Sequence, residues 1–377
     1  MGLNYHFLLQ NRIHNSLDIF LNGYSLNKVS KLAYPLIDIN ENPFIELLGI
    51  LDKLEGFEQS KKIIKKNQKT ISKKEYAEIL ATLYKEFYTS LPKTDLSTKK
   101  IDKINTFSSW NSKINDNEIK ETMLTIKNIC CNMEIIGFYL HGSLSTLDYI
   151  KGWSDADTLM IIKKDVVKDP KKILKLRKST IKIVKNLFKI DQHHLHGCFV
   201  IPEEETHFFP ETFFPLEILK YSTCIYGSSN LIFKVRNDQE ESRNLFKGFL
   251  KYFEDALSTN PRNVMEWKKF YHMLLMLPTI YFQTKGQRMY KKLSFDLIRK
   301  EFSQEQLSPI IEVTWIMNNW PVYKSIKNRF PSPFITPAIT KNKKLFKHIE
   351  RLNSSLLKES FDLASLMKKK LEKERYL

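Results

Sequence analysis

Two short apolar runs separated by a polar stretch constrain the fold of this chain more than any other feature. The first run, residues 138–140, leads into Gly142-Ser143, and the second run, residues 158–162, directly follows Asp155 and Asp157. Short apolar runs bounded by turn residues are typical of buried strands. The sequence therefore predicts two strands of one sheet, with a sharp turn after the first strand and two carboxylates at the start of the second.

The two carboxylates predict a site for divalent cations. Side chains at positions i and i+2 of a strand point to the same face, so Asp155 and Asp157 are expected to lie side by side. Two carboxylates this close repel one another unless a cation lies between them. Mg²⁺ prefers carboxylate and phosphate oxygens and is the expected metal. The alternative interpretation is a solvated loop, because Asp and Ser are common turn residues.

Gly142 and Ser143 predict a turn that binds phosphate. A glycine lets the backbone approach a ligand closely, and exposed N–H groups at the start of a helix attract phosphate. The serine adds a hydroxyl donor. A phosphate-binding turn beside two metal-binding carboxylates is suited to in-line attack on a nucleoside triphosphate.

This combination resembles the nucleotidyltransferase signature of the DNA polymerase β superfamily. The matching residues are 141–143 (His-Gly-Ser) and, after a spacer of eleven residues, 155–157 (Asp-Ala-Asp). The resemblance implies an α/β (α+β) fold, with a small polymerase β-like mixed sheet flanked by helices. It also implies two Mg²⁺ ions, with Mn²⁺ as a possible substitute, and a nucleoside triphosphate (NTP) as substrate. The implied reaction transfers a nucleoside monophosphate to a hydroxyl acceptor, which is a small molecule, a protein or an RNA end, and releases pyrophosphate.

The strand predicted over residues 195–201 departs from that pattern. The superfamily usually places a third carboxylate there, and this chain has none within the strand. His194 and His196 are expected on one face, where a neutral imidazole binds metal or accepts a proton. Asp191 and Glu203, at the two ends of the strand, are further candidates, and structural packing of the histidines is the alternative interpretation.

The departure also bears on the function class. Residues 192–194 (Gln-His-His), followed by apolar residues and an acidic patch, resemble a bacterial branch of the superfamily without an established substrate. Without the third carboxylate, a catalytically degenerate nucleotide- or RNA-binding protein that retains the fold is the alternative to an active enzyme.

A second resemblance concerns the C-terminal part of the chain. A helix pair joined by a glycine turn and followed by Lys-x-Ser is similar to the helical domain of small-substrate nucleotidyltransferases. The resemblance implies that Lys291, Lys292 and Ser294 contact the triphosphate, and a solvated loop is the alternative. Apolar residues at helical spacing flank the predicted catalytic domain on both sides. The predicted division is a helical N-terminal region (1–120), a catalytic domain (121–232) and a helical C-terminal domain (233–377).

Lysine dominates the charge of the chain. The net charge of +18 favours a polyanionic partner, with RNA as the first candidate, although general lysine richness explains it equally well. After Asp169-Pro170, a predicted helix start, six lysines recur at spacings of four and three and are expected to share one helix face. That face suits either an acidic partner or solvent. These lysines are Lys171, Lys175, Lys178, Lys182, Lys185 and Lys189.

Cysteine usage and hydropathy favour a cytoplasmic protein. The four cysteines show no paired metal-binding spacing, and the adjacent pair Cys130-Cys131 is a poor disulfide candidate. The N-terminal residues lack the basic start and long apolar core of a signal peptide. No run of 18 apolar residues is present, so the sequence predicts no membrane span.

Overall fold

The computed structural model describes residues 2–22, 44–67, 71–102, 104–150, 153–190, 197–319 and 355–377. Within these ranges the chain is a mixed α/β protein with many helices and two small sheets, which confirms the expected class. The chain forms two compact units, here called unit 1 and unit 2. Unit 1 comprises Met1–Leu147, Asp155–Phe209 and Ser222–Arg236, and unit 2 comprises Asp148–Ser154, Pro210–Tyr221 and Asn237–Leu377. The division predicted at residues 120 and 232 stays a prediction.

The larger sheet of unit 1 has five strands in the order β2-β6-β3-β4-β5. Its centre is the antiparallel pair β3 (Ile135–Leu140) and β4 (Thr158–Ile162), and every residue of β4 is buried. β4 pairs in parallel with the edge strand β5 (Phe199–Pro202). β3 pairs antiparallel with β6 (Thr223–Gly227), which in turn pairs in parallel with β2 (Asn105–Thr106). The sheet is therefore mixed, with the two predicted strands at its centre.

A second sheet in unit 1 consists of two antiparallel strands, β1 (Leu96–Ile101) and β7 (Leu231–Arg236). β7 alternates exposed and buried residues over its first four positions, as expected for a strand with one solvated face. The sequence predicted neither strand, because β1 falls in the region 1–120 and most of β7 in the region 233–377, and both regions were expected to be helical.

Four long helices of unit 1 pack together beside the larger sheet. They are α1 (Gly2–Asn22), α4 (Lys73–Thr89), α6 (Asn117–Cys130) and α8 (Pro170–Ile190). α8 contacts the other three, and its start is confirmed by the Asp169 carboxylate, which accepts the Lys171 N–H at 2.8 Å. The shorter helices are α2 (Leu48–Leu51), α3 (Glu58–Lys66), α5 (Phe107–Lys113) and α7 (Gly142–Thr146).

Side chains of α1 cover the outer edge of β5. The Asn22 amide accepts the Cys198 N–H at 2.8 Å and donates to the Cys198 carbonyl at 2.9 Å. The Asp18 carboxylate accepts the Val200 N–H at 3.0 Å. These contacts satisfy backbone groups that a further strand would otherwise pair, so α1 closes the sheet edge against association with other chains.

Unit 2 is mainly helical. Its helices are α9 (Gln239–Thr259), α10 (Val264–Thr284), α11 (Lys291–Ile298), α12 (Ser308–Asn318) and α13 (Leu356–Lys373). α10 packs against the other four helices, and α13 packs mainly against α9. The helices of unit 2 agree with the helical C-terminal part expected from periodicity. Residues 320–354 of that part lie outside the described residues.

Candidate functional site

The turn after β3 is built around Gly142. This residue has a φ of +69°, a left-handed conformation that favours glycine. A Cβ at this position would overlap Oδ2 of Asp157 and lie 3.2 Å from its Cγ. The turn and the Asp157 carboxylate are therefore in direct contact, and a residue without a side chain makes this contact possible.

The backbone holds Asp157 in this position. The His141 N–H donates to the Asp157 carbonyl at 2.9 Å. Leu140 pairs with Thr158 in the adjacent register position of the β3–β4 ladder. The antiparallel pairing thus continues just beyond the ends of both strands and brings together His141 and Asp157, which are sixteen positions apart in the chain.

Asp155 and Asp157 show the exposure expected of two residues on the same side of the segment that enters β4. Both residues are partly exposed, whereas Ala156 between them is fully buried. This alternation is the one expected for extended chain with a solvated and a buried face. Two carboxylates that reach the same solvated side fit the ligand set of Mg²⁺, which binds one or two carboxylates together with substrate phosphates.

Contacts of the short helix α7 fix the turn in place. The Trp110 indole donates to the Leu144 carbonyl at 3.0 Å, and the Ser145 hydroxyl lies 2.9 Å from that of Thr223 on β6. Leu144 and Ser145 are buried, and the preceding Ser143 is partly exposed. The turn is therefore held against the sheet while Gly142 and Ser143 remain accessible to a ligand.

Of the four predicted substitutes for the third carboxylate, only Glu203 lies within the described residues. His194, His196 and Asp191 lie outside the described residues. Glu203 is described, and its carboxylate accepts the Lys164 N–H at 3.0 Å just after β4. Asp157 precedes β4, so Glu203 lies at the opposite end of the strand, about 20 Å away at the usual rise of a strand. The suggestion that Glu203 supplies the third acid is therefore wrong.

The three residues predicted to contact the triphosphate lie at the start of α11 in unit 2. The Lys292 ammonium donates to the Asp148 carboxylate at 2.5 Å, a hydrogen bond that raises the pKa of Lys292. Ser294 is fully buried, and its hydroxyl lies 3.0 Å from that of Thr279 and donates to the Lys291 carbonyl at 2.6 Å. The Ser294 hydroxyl is thus used in packing α11 on α10. A triphosphate contact for Lys291, Lys292 or Ser294 stays a prediction.

Unit 2 also contains a buried lysine that the sequence interpretation missed. Lys268 on α10 is 1% exposed and forms no ion pair with any residue in the described ranges. Its ammonium lies 5.7 Å from the centre of the Trp153 ring, a cation–π distance, and that ring stacks on His272 at 4.9 Å. Helical spacing could have predicted the burial of Lys268, because it lies four residues after buried Val264 and three before buried Tyr271, on the same face of the helix.

A second overlooked cluster lies between α1, α4 and the 3₁₀ segment Glu203–His207 of unit 1. His14 Nδ1 is 2.8 Å from Glu205 Oε2, and the Tyr84 hydroxyl donates to Oε1 at 3.1 Å. Burial alone would lower the pKa of His14, but the adjacent Glu205 carboxylate raises it above its usual value. Burial, reinforced by the same carboxylate, raises the pKa of Tyr84. This cluster is a buried ion pair that joins α1 to the chain after β5.

Comparisons with protein-family models, with curated proteins and with solved structures find no match to this chain. Across the described ranges, no group of three or more His, Cys, Asp or Glu residues is arranged to hold a metal ion. The same part of the chain contains no helix of the length and hydropathy needed to cross a membrane.

Proposed function

We propose that this protein is a Mg²⁺-dependent nucleotidyltransferase with a polymerase β-like core. It transfers a nucleoside monophosphate from an NTP to a hydroxyl acceptor and releases pyrophosphate. The observation that carries the proposal is the direct contact between the left-handed Gly142 turn and the Asp157 carboxylate. The contact supports the proposal, because nucleotidyl transfer needs a backbone turn suited to phosphate close to a carboxylate suited to a divalent cation.

Each residue of the site has a defined role in this proposal. Asp155 and Asp157 hold Mg²⁺, which when bound neutralises phosphate charge and polarises the phosphoryl oxygens. The Gly142 backbone and the Ser143 hydroxyl bind the triphosphate tail. The acceptor oxygen forms a bond to the α-phosphorus, the bond from that phosphorus to the β-phosphate oxygen breaks, and the acceptor proton passes to a base. His194 and His196 remain the candidate bases.

The topology supports the proposal. The superfamily resemblance implies a mixed sheet, and β4, which follows the two aspartates, has an antiparallel neighbour on one side and a parallel neighbour on the other. β4 is an interior strand and fully buried, so it gives the carboxylates a rigid support, which suits a site that must hold its ligands in fixed geometry.

The experiment is a pyrophosphate-release assay with each of the four NTPs, Mg²⁺ and a panel of hydroxyl acceptors. The variants Asp155→Asn and Asp157→Asn retain the side-chain shape and remove the charge. Each is expected to reduce product formation more than about 100-fold, because each removes a proposed metal ligand. Asp165→Asn is the matched control, since this exposed aspartate lies in the turn after β4, at the other end of the strand. Turnover that survives both site substitutions would refute the proposal.

One observation favours a second candidate, a catalytically degenerate protein that binds NTP without turnover. β5, the parallel neighbour of β4, carries no carboxylate, and Glu203 lies at the wrong end of the sheet. Calorimetry with Mg²⁺ and each NTP separates the candidates. Binding that depends on Asp155 and Asp157, with no product from any acceptor, would support the degenerate protein.

A further inference from the structure

The outer surface of α8 carries one residue type only. The six lysines predicted to share a helix face are all exposed, and every other residue of α8 is buried or partly buried. We call this set the α8 lysine face. Its members are Lys171, Lys175, Lys178, Lys182, Lys185 and Lys189.

The α8 lysine face is a straight and firmly supported row of charges. Alternating spacings of four and three residues average one helical turn, so successive lysines are about 5.4 Å apart along the axis and the row is about 27 Å long. The opposite side of α8 is buried, with Ile173, Ile183 and Leu187 fully enclosed. In addition, Arg177 Nε donates to the Phe20 carbonyl at 2.8 Å, which fixes α8 to α1.

Among the described residues, the lysines of this face have few ion-pair partners. Lys175 alone of the six forms an ion pair there, with Glu134 at 3.9 Å, and that carboxylate is closer to Lys172 at 3.0 Å. Like charges three or four residues apart on a helix repel one another and lower its stability. A surface selected only for solubility usually mixes both signs, so the fold itself does not account for six lysines in a row.

We propose that the α8 lysine face binds the phosphate backbone of duplex nucleic acid. Lysine is a flexible point charge that neutralises phosphate without the rigid geometry of arginine, which suits contacts that do not read bases. A duplex presents one negative charge per about 1.7 Å of its axis, so a row about 27 Å long faces a dense array of phosphates. The proposal concerns a surface without a role in NTP binding and is independent of the proposed function.

The composition of the face argues against the other polyanions. A helix that binds a membrane inserts an apolar side, but the apolar side of α8 is already buried in the protein. Binding of single strands relies on aromatic side chains that stack with bases, and none occupies an exposed position on α8. Protein interfaces are rich in aromatic residues and depleted in lysine.

The test measures binding of a fluorescent mixed-sequence duplex of about 24 base pairs, as DNA and as RNA, by anisotropy across a KCl series. The variant K178Q/K182Q/K185Q/K189Q removes four charges from the face. The matched control, K85Q/K113Q/K247Q/K300Q, removes four charges from exposed lysines elsewhere. Glutamine keeps helix propensity similar, and circular dichroism with thermal melting establishes that both variants fold like the wild type.

The salt dependence gives a quantitative expectation. Each lysine that neutralises a phosphate contributes about 0.9 to the slope of log K against log salt on B-DNA, so the four-lysine variant should lose about 3 to 4 from the slope. The ratio of wild-type to variant affinity for the duplex should therefore fall about 100-fold between about 50 and 200 mM KCl. The control should keep the wild-type slope within about one.

Three results would overturn the proposal. The first is an equal change of slope in both variants, which would assign binding to net charge alone. The second is the absence of salt-dependent duplex binding by the wild type. The third is binding to a single strand, to phosphatidylserine vesicles or to polyglutamate that is tighter than binding to the duplex and is lost in the α8 variant.

Discussion

Replacing Gly142 by alanine measures how closely the turn after β3 fits against Asp157. Two costs follow from the structure. A φ of +69° is strained for any residue with a Cβ, by about 1–2 kcal/mol. The added methyl also overlaps Oδ2 of Asp157 and lies 3.2 Å from its Cγ, so the carboxylate must leave its rotamer at a further cost of about 1 kcal/mol. We expect Gly142→Ala to lower the free energy of unfolding by about 2–3 kcal/mol.

Gly56 provides a matched control for the backbone part of this cost. It has a φ of +84°, and the nearest atom to an added Cβ would be Ser90 Cβ at 3.8 Å. Gly56→Ala therefore introduces the strain of a left-handed backbone without a steric clash. We expect it to lower the free energy of unfolding by only about 1–2 kcal/mol. The difference between the two variants isolates the contact with Asp157.

A double-mutant cycle with Asp157→Ala makes the test specific. Removing the carboxylate makes room for the methyl, so Gly142→Ala should cost about 1 kcal/mol less in the Asp157→Ala background. Urea denaturation of the four proteins and of Gly56→Ala measures the free energies. If Gly142→Ala costs no more than Gly56→Ala, and the cycle shows no coupling, Asp157 does not lie against the turn and the site as described is incorrect.

Two further predictions concern contacts of α1. The pKa of His14 in the folded protein lies above its usual 6.5. Its ion pair with Glu205 therefore contributes its full stabilisation below pH 6.5. This contribution is lost as the pH rises through the folded-state pKa. Urea denaturation at a series of pH values should show stability falling over that window in the wild type and a weaker fall in His14→Gln; an identical profile would contradict the ion pair. Asn22→Ala should lower stability by about 2 kcal/mol or more, because the Cys198 N–H and carbonyl lose their partners. Asn186→Ala, which loses only a bond to the Lys182 carbonyl in its own helix, should cost clearly less, and equal costs would argue against the edge contact.

Features encoded by short stretches of sequence were predictable. The β3 and β4 strands and the glycine turn are signalled by neighbouring residues, and the antiparallel pairing that joins them links nearby positions. The six lysines of α8 follow from helical periodicity, and all six are exposed as expected. In each case, local backbone geometry alone decides which side chains share a face.

Features that depend on distant contacts were not predictable. Asn22 and Cys198 are 176 residues apart, and nothing near either residue signals their pairing. Glu205 ends a run of three glutamates that suggests a solvated acidic patch, yet it is 1% exposed because α1 and α4 enclose it. The polar residues of β1 form a strand only because β7 lies beside them.

The way α1 covers β5 has a consequence for synthesis of the chain. Asn22 leaves the ribosome 176 residues before the Cys198 backbone that it must bind. At about 5–20 residues per second, this delay is on the order of 10–35 seconds. During that time β5, the strand that α1 will cover, has not yet been synthesised. β4 also emerges before β5, its parallel neighbour in the sheet. The nascent protein therefore passes through a long interval in which the side of α1 that will cover β5 is open to chaperones and other chains.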